Sequence, residues 1–173
     1  YKATGVVHYV MRGSGTLETG GESLEWSAGD VFVTPGGVTH QYRAGDATAV
    51  IWVVTNEPHL RFEHLNPPDA GKAPTGVVHY PSDEITAQIA IIDDVGRDAA
   101  AAGSALIFSS DQQESARNVL PTVTLAMNSL PANTVQRPHR HNAVAISLVI
   151  RGDRCHSMID GQRKDWAPWA TTI

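Results

Sequence analysis

The chain has 173 residues, and at about 150 residues per domain this length predicts one domain or slightly more. Its hydrophobic content of 42% is enough for a folded core, and its formal net charge of -5 argues against a general nucleic-acid binder. The single cysteine, Cys155, excludes an internal disulfide framework and a Cys-rich zinc site, and no apolar run reaches the roughly 18 residues that span a membrane. We therefore expect a cytoplasmic protein with no nucleic-acid partner and no membrane partner.

The first part of the chain consists of short β-branched or alternating segments separated by glycine turns. The predicted strands cover residues 6–11, 16–19, 24–26, 31–34 and 47–55. Strands of this length at such even spacing are typical of a sandwich or small barrel.

A different pattern follows between residues 57 and 120. Its beginning is rich in Pro and Asn and has weak periodicity, which indicates a linker. A helix is predicted near residues 82–95, because Ser82 is a good N-terminal cap and Ile85, Ile89 and Ile92 recur on one helical face. Residues 98–103 fit either a helix end or a loop.

The last part of the chain returns to strand patterns, and part of it repeats the beginning. Strands are predicted at residues 105–108, 123–130 and 144–150. The glycine and tryptophan pair Gly13 and Trp26, 13 positions apart, recurs as Gly152 and Trp166, 14 positions apart. A period near 139 residues predicts two copies of one fold rather than a solenoid.

The sharpest chemical feature is the pair His139 and His141 in the sequence His-Arg-His. On a strand, residues i and i+2 project to the same face, at a separation that one metal ion can bridge. Imidazole suits Zn, Cu, Fe, Ni and Mn, so the pair alone does not select a metal. Two solvated histidines in a loop after Pro138 are the alternative.

The residues around this pair resemble the first motif of the cupin superfamily, G-x5-H-x-H-x3-E-x6-G. The positions that correspond to its letters are Asn133, His139, His141, Ala145 and Gly152. The spacing fits throughout, whereas Asn133 replaces the first Gly and Ala145 replaces the Glu ligand.

The second cupin motif, G-x5-P-x-G-x2-H-x3-N, is matched near the beginning of the chain. Its positions are occupied by Gly29, Pro35, Gly37, His40 and Ala44, the last in place of Asn. The resemblance implies an all-β fold of cupin (jelly-roll-like) β-barrels in a bicupin arrangement, with a short helix in the linker.

Because the two motifs belong to different copies, the resemblance also implies a division of the chain. Residues 1–56 correspond to the C-terminal part of a first barrel, residues 57–120 to a linker, and residues 121–173 to the N-terminal part of a second barrel. We therefore expect the chain to be a fragment of a longer bicupin. A third histidine ligand for the second barrel is expected about seven residues beyond Ile173, by alignment of Trp166 with Trp26.

Four further residues are candidates for the two pockets. The first copy is predicted to lack metal, since Lys2 and Val6 stand at its ligand positions. His8 and His40 are expected to line it, with a buried polar pair favoured over a second metal site. In the second copy, the small residues Ala145 and Ser147 are expected to shape the pocket wall and leave room over the metal.

A site without the Glu ligand resembles the gentisate 1,2-dioxygenase group, which includes salicylate and 1-hydroxy-2-naphthoate dioxygenases. The resemblance implies an Fe(II) cofactor, with Mn, Ni and Zn as alternatives, a small aromatic hydroxy acid and O2 as substrates, and a homo-oligomer. In well-known members the iron lies in the first barrel, whereas the His-Arg-His pair here lies in the second. The alternatives are a bicupin that binds a small ligand without catalysis and a metal-dependent cupin isomerase.

Overall fold

The computed structural model describes residues 1–95 and 104–173. Within these ranges the chain forms two compact units, Tyr1–Arg137 and Pro138–Ile173, and each is described by itself. Residues 98–103, for which the sequence leaves a helix end or a loop open, lie outside the described residues.

The first unit is built mainly from strands. They are β1 (Gly5–Arg12), β2 (Ser14–Thr19), β3 (Glu22–Ser27), β4 (Val31–Pro35), β5 (His40–Ala44), β6 (Val50–Thr55), β7 (Val78–Tyr80), β8 (Ser104–Phe108) and β9 (Leu125–Ser129). Its helices are α1 (Glu57–Phe62), α2 (Ser82–Val95) and the 3-10 helix Asp111–Ala116. The strands pair as a sheet of order β6-β1-β4-β7, a second sheet of order β3-β2-β5, and the hairpin β8-β9.

Alternation along β1 gives the first unit a core on each side of its larger sheet. On one side, Val10, Leu17, Trp26 and Phe32 pack together between the two sheets. The other side forms a second cluster, whose buried members are Val7, Val31, Val33, Ile85, Phe108, Val119 and Leu120. The first cluster, here called the inner core, fills the space between the sheets. The second cluster, here called the outer core, is covered by α2, β8 and residues 119–120.

The segment that the sequence indicates as a linker contributes directly to this unit. Strand β7 pairs with β4, with Val31 opposite Tyr80, and extends the larger sheet by one strand. Ile85 of α2 is buried in the outer core. The helix predicted near residues 82–95 is confirmed as α2, whereas α1 and β7 have no counterpart in the sequence predictions.

The second unit contains four short strands. They are β10 (Ser147–Leu148), β11 (His156–Ile159), β12 (Gln162–Asp165) and β13 (Thr171–Thr172), paired as β10-β13 and β11-β12. The strand predicted over residues 144–150 is wrong in extent, because pairing with β13 covers only Ser147 and Leu148. A strand is maintained by hydrogen bonds to its neighbour, and the residues before Ser147 have no paired strand in the described chain.

The pairing in the second unit has the same register as the pairing in the first. Ser147 lies opposite Thr172, and His8 lies opposite Phe32 in the first unit. Ser147 follows His8 by 139 positions, and Thr172 follows Phe32 by 140. His156 lies opposite Asp165 as Thr16 lies opposite Glu25, each 140 positions earlier. The sequence repeat therefore corresponds to a repeat of strand pairing.

Most other strand predictions agree with the structure. The structure has strands at each of these predicted positions, although some strand ends differ from the prediction by one or more residues. Strands β1, β2, β3, β4 and β6 correspond to residues 6–11, 16–19, 24–26, 31–34 and 47–55, and β8 and β9 correspond to residues 105–108 and 123–130. The all-β class is confirmed, since helices make up a small part of the described chain. No helix in the described residues is long and apolar enough to cross a membrane.

Candidate functional site

His139 and His141 lie next to each other on the surface of the second unit. Both side chains are exposed. Their ring centroids are 5.0 Å apart and the ring planes meet at 87°, an edge-to-face arrangement. The two imidazoles are therefore neighbours, as the sequence predicts.

The backbone that carries the pair does not form a strand. Residues 139–141 are not in a strand, and β10 begins only at Ser147. The pair therefore lies in the loop after Pro138 that the sequence left open as the alternative, and Pro138 has no backbone N–H to offer a neighbouring strand. The proximity of the rings comes from the local chain path rather than from the two-residue period of a strand.

Two imidazoles by themselves are too few ligands for a complete metal site. In the described residues, no group of three or more His, Cys, Asp or Glu side chains is placed to hold a metal ion. The donor chemistry of the pair still fits a transition metal, because neutral imidazole is a common ligand for iron, zinc, nickel and copper. The pair can supply two ligands to such an ion.

The predicted pocket residues of the second unit are both exposed. Ser147 belongs to β10 and pairs with Thr172, while Ala145 precedes that strand. Their assignment to a pocket wall stays a prediction.

In the first unit, His8 lies fully buried on the inner face of β1, with 0% of its surface exposed. Its ring stacks on Phe32 of the neighbouring strand, with centroids 4.2 Å apart. Nδ1 lies 3.3 Å from the carbonyl oxygen of Phe32, and Nε2 lies 2.6 Å from the hydroxyl of Tyr42. Because the carbonyl oxygen can only accept, Nδ1 carries the proton and Nε2 accepts from the Tyr42 hydroxyl.

Burial determines the charge of this histidine. It lowers the pKa of His8 to about 3, and the Phe32 hydrogen bond offsets only part of that effect. Burial also raises the pKa of Tyr42 to about 12. The His8–Tyr42 pair is therefore uncharged at neutral pH.

His40 occupies the equivalent of the second-motif histidine and faces the same space. Its Nδ1 lies 3.1 Å from Oγ1 of Thr19, which pairs with it across β2 and β5. Burial lowers the pKa of His40. His8 and His40 are thus each hydrogen-bonded to a hydroxyl, on Tyr42 and on Thr19, but His40 is only half-buried and the expected buried pair stays a prediction.

Two further polar residues on this face were missed from the sequence. Tyr42 lies two residues beyond His40 on β5 and so shares its face, a signal that recognition of β5 would have provided. Thr34 on β4 is also fully buried, and its Oγ1 has no hydrogen-bond partner. Buried polar atoms are nearly always paired, so this hydroxyl is suited to bind a water molecule or a ligand.

Comparison with known proteins agrees with the fold and with the predicted resemblance. Residues 3–56, which cover β1 to β6, match the family model described as Cupin domain. A stretch of 55 residues is 38% identical to 5-aminosalicylate 1,2-dioxygenase from Comamonas sp, and it covers 32% of this chain and 15% of that protein. The chain therefore spans only a small part of this relative. A comparison with solved structures found no significant match.

Proposed function

We propose that this chain is part of a non-haem Fe(II) dioxygenase that cleaves the ring of an aromatic hydroxy acid, with His139 and His141 as two of the iron ligands. The observation that carries the proposal is the adjacent imidazole pair, 5.0 Å apart, in a chain with a cupin domain. The match to an aminosalicylate dioxygenase supports the class of substrate.

The ligand chemistry supports iron in this role. Two neutral histidines add no negative charge, so an Fe(II) ion held by them keeps its positive charge and favours an anionic substrate. Bound iron would supply the redox chemistry that allows O2 to react with an aromatic ring. The role of this chain's own residues is to hold the ion through His139 and His141 and to leave positions open for substrate.

Metal binding is the first test. Under anaerobic conditions the full-length protein, titrated with Fe(II) in a calorimeter, is expected to bind iron, and His139→Ala and His141→Ala are each expected to weaken binding by about tenfold or more. His156→Ala is the matched control, because His156 is an exposed histidine in the same unit. Unchanged binding in both variants, or an equal loss in the control, would show that the pair does not hold the metal.

Turnover is the second test. The iron-loaded protein is expected to consume O2 with 5-aminosalicylate, gentisate or salicylate, followed with an oxygen electrode and by loss of the aromatic absorbance. His139→Ala is expected to lose this activity. Iron binding without O2 consumption on any of these acids would contradict the dioxygenase and leave metal binding standing.

A bicupin that binds a small ligand without catalysis is the second candidate. The buried Thr34 hydroxyl without a partner, on the same face as His8 and Tyr42, favours it. Because these groups are uncharged, a neutral hydroxyl-bearing ligand suits them better than an anion. Titration with small polyols in the presence of a chelator, compared between the wild type and Thr34→Val, tests this candidate. Equal response of the two proteins would contradict it.

A further inference from the structure

The Asp30 carboxylate is a buried acceptor at the junction of three elements of the first unit. Its side chain is 5% exposed. Oδ2 accepts from the backbone N–H of Ser27 at 2.8 Å and lies 3.0 Å from Nε2 of His79 on β7. Oδ1 accepts from the backbone N–H of Ser82, the first residue of α2, at 2.9 Å. One carboxylate therefore contacts the β3–β4 turn, β7 and α2.

The packing around this carboxylate is tight. A Cβ added to Gly29, the residue before Asp30, would lie 2.7 Å from Cβ of Ser82. The beginning of α2 therefore approaches the β3–β4 turn closely, at a position where a positive φ of 93° also favours glycine. Asp30 caps a helix that begins 52 residues later in the chain.

We propose that Asp30 holds β7 and α2, here called the strap (residues 78–95), against β1 to β6, and that loss of its negative charge releases the strap while β1 to β6 stay folded. This inference is independent of the proposed dioxygenase activity. The strap is held by the Asp30 contacts, by burial of Ile85 and by pairing of β7 with β4, whereas β1 to β6 are held in addition by the inner core and by two sheets.

The charged groups on the neighbouring elements leave His79 as the titratable contact of Asp30. On α2, Asp83 and Glu84 in the first turn are exposed. Arg12 on β1 and Glu25 on β3 are exposed as well, and β4 carries no other charged residue. The acids beside Ser82 favour the positive end of the helix dipole, but Asp83 accepts from the Glu84 N–H and the Ser82 N–H donates to Asp30.

The direction of the pH effect follows from these contacts. Although burial opposes ionisation, the donors from Ser27, His79 and Ser82 together hold the pKa of Asp30 below its usual value of 3.8. A lowered folded-state pKa stabilises the attached strap above the released-state pKa, and this stability is lost as the pH falls through the folded-state value. Release is therefore expected in acid, below about pH 4.

The strap also supports the buried histidine site from one side. Phe32 lies between His8 and His79 in the sheet, paired with His8 on β1 and with His79 on β7. Release of β7 removes one of the two strands that hold Phe32 in place. We therefore expect the His8 ring resonances to shift together with release of the strap.

Amide hydrogen exchange on the full chain, read by NMR between pH 6 and pH 3, tests the proposal. In the wild type, protection of α2 amides, corrected for intrinsic exchange, is expected to fall by up to about tenfold per pH unit below about pH 3.8, in addition to the loss of stability of the whole unit that protonation of His8 causes. Asp30→Asn is expected to lower strap protection by about tenfold or more at neutral pH and to remove its acid dependence.

Asp83→Asn is the matched control, because it makes the same change at the same helix end outside the carboxylate contacts. Its strap protection is expected to keep the wild-type pH dependence. The proposal is overturned if Asp30→Asn keeps that dependence or if the control loses it.

A second variant covers the case in which Asp30→Asn does not fold. His79→Gln keeps a donor but removes the titratable ring, and it is expected to lower strap protection selectively while β1 stays protected. Unchanged strap protection in this variant, together with no loss of strap protection in the wild type below about pH 3.8, would also overturn the proposal.

Discussion

At the scale of single residues, burial controls which forms of the histidines exist. His8 is enclosed by Phe32 and Tyr42, and its uncharged ring donates from one nitrogen and accepts at the other. His139 and His141 are exposed and close to each other instead. The same residue type is therefore buried and hydrogen-bonded in one unit and exposed on the surface of the other.

The lowered pKa of His8 gives a signed prediction for stability. The folded-state pKa of about 3 lies below the usual value of 6.5, so the unfolded chain binds a proton more readily. The free energy of unfolding is therefore expected to fall as the pH drops below about 6.5, by at most about 1.4 kcal/mol per pH unit for this group. Chemical denaturation of wild type and His8→Gln between pH 7 and pH 5 measures it.

The variant is expected to have a smaller slope of unfolding free energy against pH than the wild type. Some slope remains, because the pKa of His40 is lowered as well. His59→Gln, a change at an exposed histidine of α1, is the control and is expected to keep the wild-type slope. Identical slopes for His8→Gln and wild type would contradict the assignment.

At the scale of elements, β1 packs closely against the side chain of Leu120 in the outer core. A Cβ added to Gly5 would press on the side chain of Leu120 and lie 2.9 Å from the carbonyl oxygen of Thr34. Gly5→Ala is therefore expected to lower the free energy of unfolding by about 1–3 kcal/mol, as overpacking does in dense cores. Urea unfolding measures the change.

Gly76→Ala is the control for that substitution. A Cβ there would meet only the side-chain amide of Gln112, at 4.0 Å. Its effect is expected to stay within about 0.5 kcal/mol of the wild type. If both variants unfold at the same urea concentration as the wild type, the outer core is looser than the structure indicates.

Local sequence was sufficient for most elements of the first unit and insufficient for others. β1, β4 and α2 were predictable because β-branched runs, glycine turns and an isoleucine period of helical spacing are local signals. β5 was missed because its polar sequence, His40–Ala44, has no apolar alternation, and it forms a strand by pairing with β2. β7 has only three residues and depends in the same way on β4.

At the scale of the whole molecule, the two units differ in how much they bury. The buried hydrophobic residues all belong to Tyr1–Arg137, and none of residues 138–173 is buried. The strands β10 and β13 pair over two residues each. We therefore expect amides of β10 and β11 to exchange about a hundredfold faster than those of β1 at pH 7.

Hydrogen exchange followed by mass spectrometry on the full chain measures this difference. Peptides from β2 and β3 serve as the internal comparison, since they form the hairpin that β11 and β12 repeat. Equal protection of the two hairpins would show that the second unit is as stable as the first.

The sequence by itself determined the all-β class, the cupin resemblance, the repeat and the candidate histidine pair, because turns, alternation and motif spacing are local features of the sequence. Only the tertiary structure decided that His8 is buried and paired with Tyr42, that Asp30 caps a distant helix, and that the His139–His141 segment is not a strand. Each of these depends on which segment lies alongside, and hydrogen bonds between distant residues and burial by distant side chains leave no local signal.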